Sequence, residues 1–193
     1  MTQYTAFLLL APLSAASSLG VLIYALRHGV SSKRRVLLWL MISIIGWLTF
    51  NSLELASPTP SMTLFWAKVS YPFITATPVT WLVFTLYYTD LALEIEWSKL
   101  WLGLLIPLVT VLLVWTNELH GLMWQSYEFV STGPWLSLHV IHGPWFYIHA
   151  VYCYALVFLG ALLIFHHHLR MQRIYRHQSR WLVAGGIIPS LFN

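Results

Sequence analysis

The sequence predicts an all-α membrane protein: an N-out, multi-span helical bundle with an extracellular β-hairpin between its fourth and fifth spans. Three observations predict this. Of the 193 residues, 59% are hydrophobic and only 8% charged, where a soluble domain carries about 25% charge. Apolar runs recur at the length needed to cross a bilayer. Nine of the ten Lys and Arg residues lie in three short segments that alternate with those runs, the pattern of cytoplasmic loops.

Taken in order, the predicted spans are 5–26, 36–55, 62–88, 100–116, 145–165 and 181–193. The first is a retained helix, because Met1-Thr2-Gln3-Tyr4 lacks the positive charge that precedes the apolar core of a cleaved leader. Arg27, Lys33, Arg34 and Arg35 follow it. The third run is long enough to tilt. The sixth begins at Trp181 and stops at Asn193; its 13 residues cover about 20 Å of a hydrocarbon core about 30 Å thick. The expectation is therefore five full spans and a truncated sixth, in one membrane domain over 1–193. The inside loops are 27–35, 89–99 and 166–180. The outside segments are 56–61 and 117–144, and neither carries Lys or Arg.

The outside segments differ in kind. Ala56-Ser57-Pro58-Thr59-Pro60-Ser61 reads as a tight turn. The longer one has a β-favouring stretch over 123–130, a turn signal at Ser131-Thr132-Gly133-Pro134 and a loosely alternating stretch over 135–142, which together predict a hairpin over the outer mouth. No internal repeat suggests an inverted-repeat transporter. The isoelectric point near 9.3 does not point to nucleic acid, because the basic residues sit at span ends, where anionic lipids attract them. The single cysteine, Cys153, excludes an internal disulfide and suits a small packing residue.

Ionisable groups inside a membrane cost about 2.5–3.5 kcal/mol each on insertion scales, so each is a functional candidate. Glu54 lies near the outer end of the second run, and Lys68 about 10 Å by helical rise inside the third. A short turn makes these helices antiparallel neighbours, so Glu54 and Lys68 are expected to approach each other. Asn51 and Tyr71 sit three residues away on the respective faces. A structural ion pair is the competing reading of this cluster.

A second constellation, Trp115, Asn117, Glu118, His120 and Trp124, ends the fourth run. Its polar groups beside aromatic rings resemble a small-molecule pocket, while an interfacial aromatic belt explains the same residues without a ligand. In the fifth run Trp145, His149 and Tyr152 share a face. They can wall the same pocket or glue helices together. Pro72 and Pro78 can free backbone carbonyls in the third run.

No metal site is expected. His139 and His142 point to opposite faces of a strand, and His166-His167-His168 diverge by about 100° each on a helix. No phosphate loop, zinc-protease signature or nucleophile elbow is present. No catalytic residue and no cofactor are expected. Lys68 departs from the retinal photoreceptors, whose Schiff-base lysine lies in the last span.

Several segments together resemble a known family. They include Lys68-Val69-Ser70-Tyr71, Thr77-Pro78-Val79-Thr80-Trp81-Leu82-Val83-Phe84 and Tyr87-Tyr88-Thr89. The most specific is Trp115-Thr116-Asn117-Glu118-Leu119-His120-Gly121-Leu122-Met123-Trp124, followed by Gly143-Pro144-Trp145-Phe146 and Pro189-Ser190-Leu191-Phe192-Asn193. They resemble the N-terminal seven-transmembrane sensor region of bacterial and archaeal histidine kinases, over nearly the whole chain. The resemblance implies a signal-input module in the plasma membrane, ahead of a cytoplasmic kinase or diguanylate-cyclase domain absent from this sequence. It also implies a homodimer formed through the parent protein. The expected partners are the lipid bilayer and a small-molecule ligand of unknown identity, held at Asn51, Glu54, Lys68, Tyr71, Trp115, Asn117, Glu118, His120, Trp124, Trp145, His149 and Tyr152. A transporter or channel subunit and a purely structural anchor are the rival readings.

Overall fold

The structure, a computed structural model, describes residues 31–94, 97–132 and 135–170, together with Ala16, Leu19, Gly20 and Ile23. Those four isolated residues are helical and belong to the first predicted span. The rest of that span, and the whole sixth, lie outside the described residues.

Helix α1 (Ser32–Leu55) starts four residues earlier than the apolar run predicts, because Ser31 caps it by accepting the Arg34 amide at 3.3 Å. Ala56, Ser57 and Pro58 then turn the chain. Thr59 caps helix α2 (Pro60–Tyr88), accepting the Met62 amide, with Pro60 at the first helical position. A short 3₁₀ turn, Leu91–Glu94, leads to helix α3 (Trp97–Trp115). A second 3₁₀ turn, Asn117–Leu119, leads to the hairpin of β1 (Trp124–Thr132) and β2 (Trp135–His142), and helix α4 (Pro144–Arg170) follows. One boundary corrects the sequence reading: Lys99 falls within α3 rather than in a loop. Helix α4 runs five residues past the predicted span and includes His166, His167 and His168, which the sequence reads as a helix end.

Among the described residues, Ser32–Leu55, Pro60–Tyr88 and Pro144–Leu169 are long and apolar enough to cross a membrane, while Gly103–Trp115 is a shorter apolar stretch. Helix α2 is the axle: it packs against α1, α3 and α4 and also touches β2. Its two ends carry separate cores. At one end, Trp81 and Phe84 of α2 pack with Leu40 of α1 and Ile164 of α4. At the other, Ala67 of α2 packs with Val114 of α3 and with Met123 and Trp124, and Leu64, Tyr71, Trp145 and Phe146 surround them. Tyr127, Leu138 and Val140 of the hairpin belong to this second core, so the hairpin is seated on the bundle. Leu104, Leu108 and Leu112 of α3, and Val151, Phe158, Leu162 and Phe165 of α4, are exposed apolar stripes of the kind a hydrocarbon solvent accepts.

The strands pair antiparallel from Trp124 opposite His142 to Thr132 opposite Trp135, with an irregularity between Trp124 and Ser126. Ser131 and Thr132 are therefore strand residues, not part of the turn as the sequence suggested. At the end away from the hairpin, Lys33 and Asp90 form an exposed ion pair at 2.7 Å that ties the start of α1 to the chain leaving α2. Ser43 and Thr80 share a hydrogen bond of 3.1 Å between α1 and α2 in mid-bundle.

Helices α2 and α4 approach closely at one point. The Trp81 indole donates to the Val157 carbonyl at 3.2 Å, and a β-carbon at Gly160 would run into that indole and crowd Thr85. Gly160→Val is expected to destabilise the bundle by about 1–3 kcal/mol, the usual cost of overpacking. A lower midpoint of thermal unfolding in detergent checks this; an unchanged midpoint would mean the helices can part without cost.

Candidate functional site

The polar groups gather at the hairpin end, and the loop after α3 organises them. Asn117 is 3% exposed, and its side chain is turned onto the backbone seven residues ahead. Its Oδ1 accepts the Met123 and Trp124 amides at 3.1 and 2.9 Å, and its Nδ2 donates to the Trp124 carbonyl at 2.9 Å. Three of the four bonds an amide can make are thus spent on closing one loop. Gly121, at φ 62°, supplies the left-handed residue the loop needs.

That loop is stitched to the start of α4. The Gly143 amide donates to the Met123 carbonyl at 2.9 Å, and the Trp145 amide to the Leu122 carbonyl at 3.0 Å. A β-carbon at Gly143 would overlap the Leu122 and Gly121 carbonyls. The two segments that look most distinctive in the sequence, around 115–124 and 143–146, are therefore one contact in space.

Lys68 reaches this loop. It is buried in α2, its side chain 11% exposed, and its Nζ donates to Glu118 Oε1 at 2.6 Å, with the Glu118 side chain 47% exposed. The ammonium holds the Glu118 carboxyl below the usual carboxylate range. This corrects the expected pairing of Lys68 with Glu54. Proximity in sequence favoured Glu54, but the loop after α3 brings a carboxylate from 50 residues away into direct contact. Glu54 and Asn51 are half-buried on α1, and their side chains make no hydrogen bond or ion pair among the described residues. Glu54 is within electrostatic range of Tyr71. The Tyr71 hydroxyl accepts the Trp124 indole N–H at 3.2 Å, and the two rings meet edge to face.

The remaining candidates separate. Trp115 is 46% exposed and meets Phe65 edge to face, away from Trp124. His120 accepts the Leu122 amide at Nδ1, at 3.0 Å, which leaves Nε2 as the donor to Thr116 Oγ1 at 3.1 Å. Both bonds are local to the loop. Trp145 donates to Thr110 Oγ1 at 2.9 Å, the buried His149 lies 3.4 Å from the same hydroxyl, and Tyr152 donates to the Gly103 carbonyl. These three residues join α4 to α3, as helix-to-helix glue does. Cys153 is a free thiol beside His149. Thr110, fully buried, escaped the sequence reading; a lone hydroxyl in the middle of an apolar run was its only signal. His139 faces Glu128 across the hairpin, and His142 stacks on Phe146 at 3.7 Å. A separate cavity of about 240 Å³ lies deeper, lined by Thr75, Val79, Thr80, Leu104, Pro107 and Leu108.

Two predictions follow from this geometry. Asn117→Ala strands buried backbone groups, each costing about 1–3 kcal/mol, and is expected to unseat the hairpin. Limited proteolysis within 125–141 should then accelerate, while cleavage at the far end stays unchanged. Acid should loosen the hairpin in two stages. Burial lowers the His142 pKa and the Lys68 contact lowers that of Glu118, so each contribution is complete above the group's unfolded pKa and gone once pH has fallen through its folded value. The His142 stage comes first, below the ordinary imidazole range, and the Glu118 stage follows below the ordinary carboxylate range. Hydrogen exchange at the Met123 and Trp124 amides reads both stages, and Glu118→Gln should erase only the second.

Neither the curated proteins nor the solved structures provide a match. A family model described as the N-terminal 7TM region of histidine kinase matches residues 10–193, nearly the whole chain and all of the geometry above. The chain belongs to the family of N-terminal seven-transmembrane regions of histidine kinases.

Proposed function

We propose that this region receives a signal at its hairpin end and passes it through α2 and α4 to a cytoplasmic output domain. The signal is a small molecule arriving from outside the cell or dissolved in the bilayer, and the parent is a histidine kinase or a diguanylate cyclase working as a homodimer in the plasma membrane. The hairpin end faces outward in this reading. In support, segments 56–61 and 117–144 lack Lys and Arg, whereas Lys33, Arg34 and Arg35 open α1 at the other end. On the same grounds the N-terminus is outside and the chain has five full spans before a sixth. The ligand contacts are Asn51, Glu54, Lys68, Tyr71, Glu118 and Trp124. Asn117, His120, Trp145, His149 and Tyr152 shape the loop and the α3–α4 seam behind them.

The observation that carries this reading is the Lys68–Glu118 bond. It links the buried axle of the bundle to a loop that is otherwise closed on itself, and one of its partners stays half exposed. A ligand that competes for either charge changes how the loop sits on α2. Signalling requires that kind of differential interaction between two arrangements. A pore is not supported: in mid-bundle Ser43, Thr80 and Thr85 all donate to their own helices, and so offer no line of free hydroxyls.

The test uses the full-length parent in proteoliposomes. Lys68→Met and Glu118→Gln are each expected to shift the basal rate of autophosphorylation, or of cyclic dinucleotide synthesis, by roughly threefold or more, as loss of about 0.7 kcal/mol from a two-state bias would. Insertion and yield should stay normal. A basal rate unmoved by both substitutions would favour a structural anchor.

A further inference from the structure

We infer that an uncharged, one-ring apolar molecule dissolved in the bilayer binds between α2 and α3, in the cavity of about 240 Å³. This seat is separate from the hairpin-end contacts proposed above and does not depend on them.

The cavity sits at the depth of the hydrocarbon. Its α2 wall is Thr75, Ala76, Val79 and Thr80, just past the midpoint of Pro60–Tyr88. Its α3 wall is Leu104, Pro107 and Leu108, around the midpoint of Trp97–Trp115. The midpoint of a helix that crosses a bilayer falls within the apolar core. Leu104 and Leu108 are also exposed, so the cavity opens sideways, toward lipid. A ligand that reaches it comes through the bilayer and leaves its charge, if any, behind.

The walls turn away polar molecules. Only two of the lining side chains carry a heteroatom, and both hydroxyl protons are spent on helix carbonyls. Thr75 donates to the Pro72 carbonyl at 3.1 Å and Thr80 to the Ala76 carbonyl at 2.8 Å. Pro107 has no amide proton for the Gly103 carbonyl four residues earlier, and Tyr152 of α4 donates to that carbonyl instead. The lining side chains therefore keep no free donor. Water needs several polar partners to settle in a cavity, and a void lined by carbon stays dry. Left empty, it also forfeits the dispersion contacts of the atoms around it. An apolar occupant restores those contacts.

Size sets the class of occupant. An engineered apolar cavity of about 150 Å³ holds benzene or xenon. The larger space between α2 and α3 has room for a ring with a small substituent, whereas a lipid acyl chain is too long to be contained and fits only by its tail. Ala76 gauges this space, because it is the smallest side chain of the lining and a larger one there fills the cavity from within.

The test irradiates the full chain in nanodiscs with a trifluoromethyl phenyldiazirine, a one-ring apolar carbene source, and locates labelled residues by mass spectrometry. Labelling within 75–80 is expected to saturate with probe concentration and to fall roughly threefold or more with excess toluene, as mass action requires of a shared site. Val151 and Phe158, exposed on α4, report simple contact with lipid. Their labelling should rise in proportion to the probe and ignore toluene. Ala76→Leu should abolish the saturable component and leave the α4 labelling unchanged. Labelling within 75–80 that stays proportional to the probe and indifferent to toluene would mean that only lipid chains enter the cavity, and would overturn the inference. So would a folded Ala76→Leu chain with unaltered saturation. Should that variant not fold, competition in the wild-type chain decides alone. Neither failure touches the kinase-output test of Lys68 and Glu118, so the two readings fall separately.

Discussion

A lysine held within an apolar bundle must find an anion, and the hairpin end of this protein is arranged around that requirement. Lys68 belongs to α2, the helix that all the others touch. Its partner, Glu118, comes from the first turn after α3. Placing that carboxylate requires the loop to fold tightly, which Asn117 achieves by bonding to Met123 and Trp124. The tight loop then exposes carbonyls that the start of α4 caps, and only a glycine fits where Gly143 passes them. One buried charge thus ties α2, α3, the hairpin and α4 into a single unit.

The two cores give this unit something to act against. The far core, built on Leu40, Trp81, Phe84 and Ile164, holds α1, α2 and α4 without any charged side chain. The near core mixes apolar packing with indole and hydroxyl hydrogen bonds, such as Trp124 to Tyr71 and Trp145 to Thr110. Hydrophobic packing has no directional preference, but these polar bonds do. A displaced loop would therefore break a small number of defined contacts rather than deform the bundle smoothly, which is how a bistable element behaves.

The sensor and anchor readings divide the same residues differently. Asn117, Trp145, His149 and Tyr152 are fully explained by the helices and loops they join, as an anchor requires. Glu54 and Asn51 are not explained in that way, because neither side chain makes a hydrogen bond or ion pair among the described residues. Polar groups left over after packing is accounted for are the best indication of something beyond stability, since burying them carries a cost that no internal contact offsets.

Much of this was legible in the chain itself. Apolar run length determined the helices, because a bilayer leaves little freedom in how long a span can be, and turn residues determined the hairpin. The segments around Asn117 and Gly143 also signalled the family before any coordinate. The pairing of charges was not legible. Sequence proximity pointed from Lys68 to Glu54, and only the tertiary fold, by closing the loop after α3 over α2, brought Glu118 within 2.6 Å instead. The buried role of Thr110 and the outward turn of Trp115 were decided in the same way. Periodicity tells which residues share a face of one helix, but which neighbour that face meets depends on how the helices are packed.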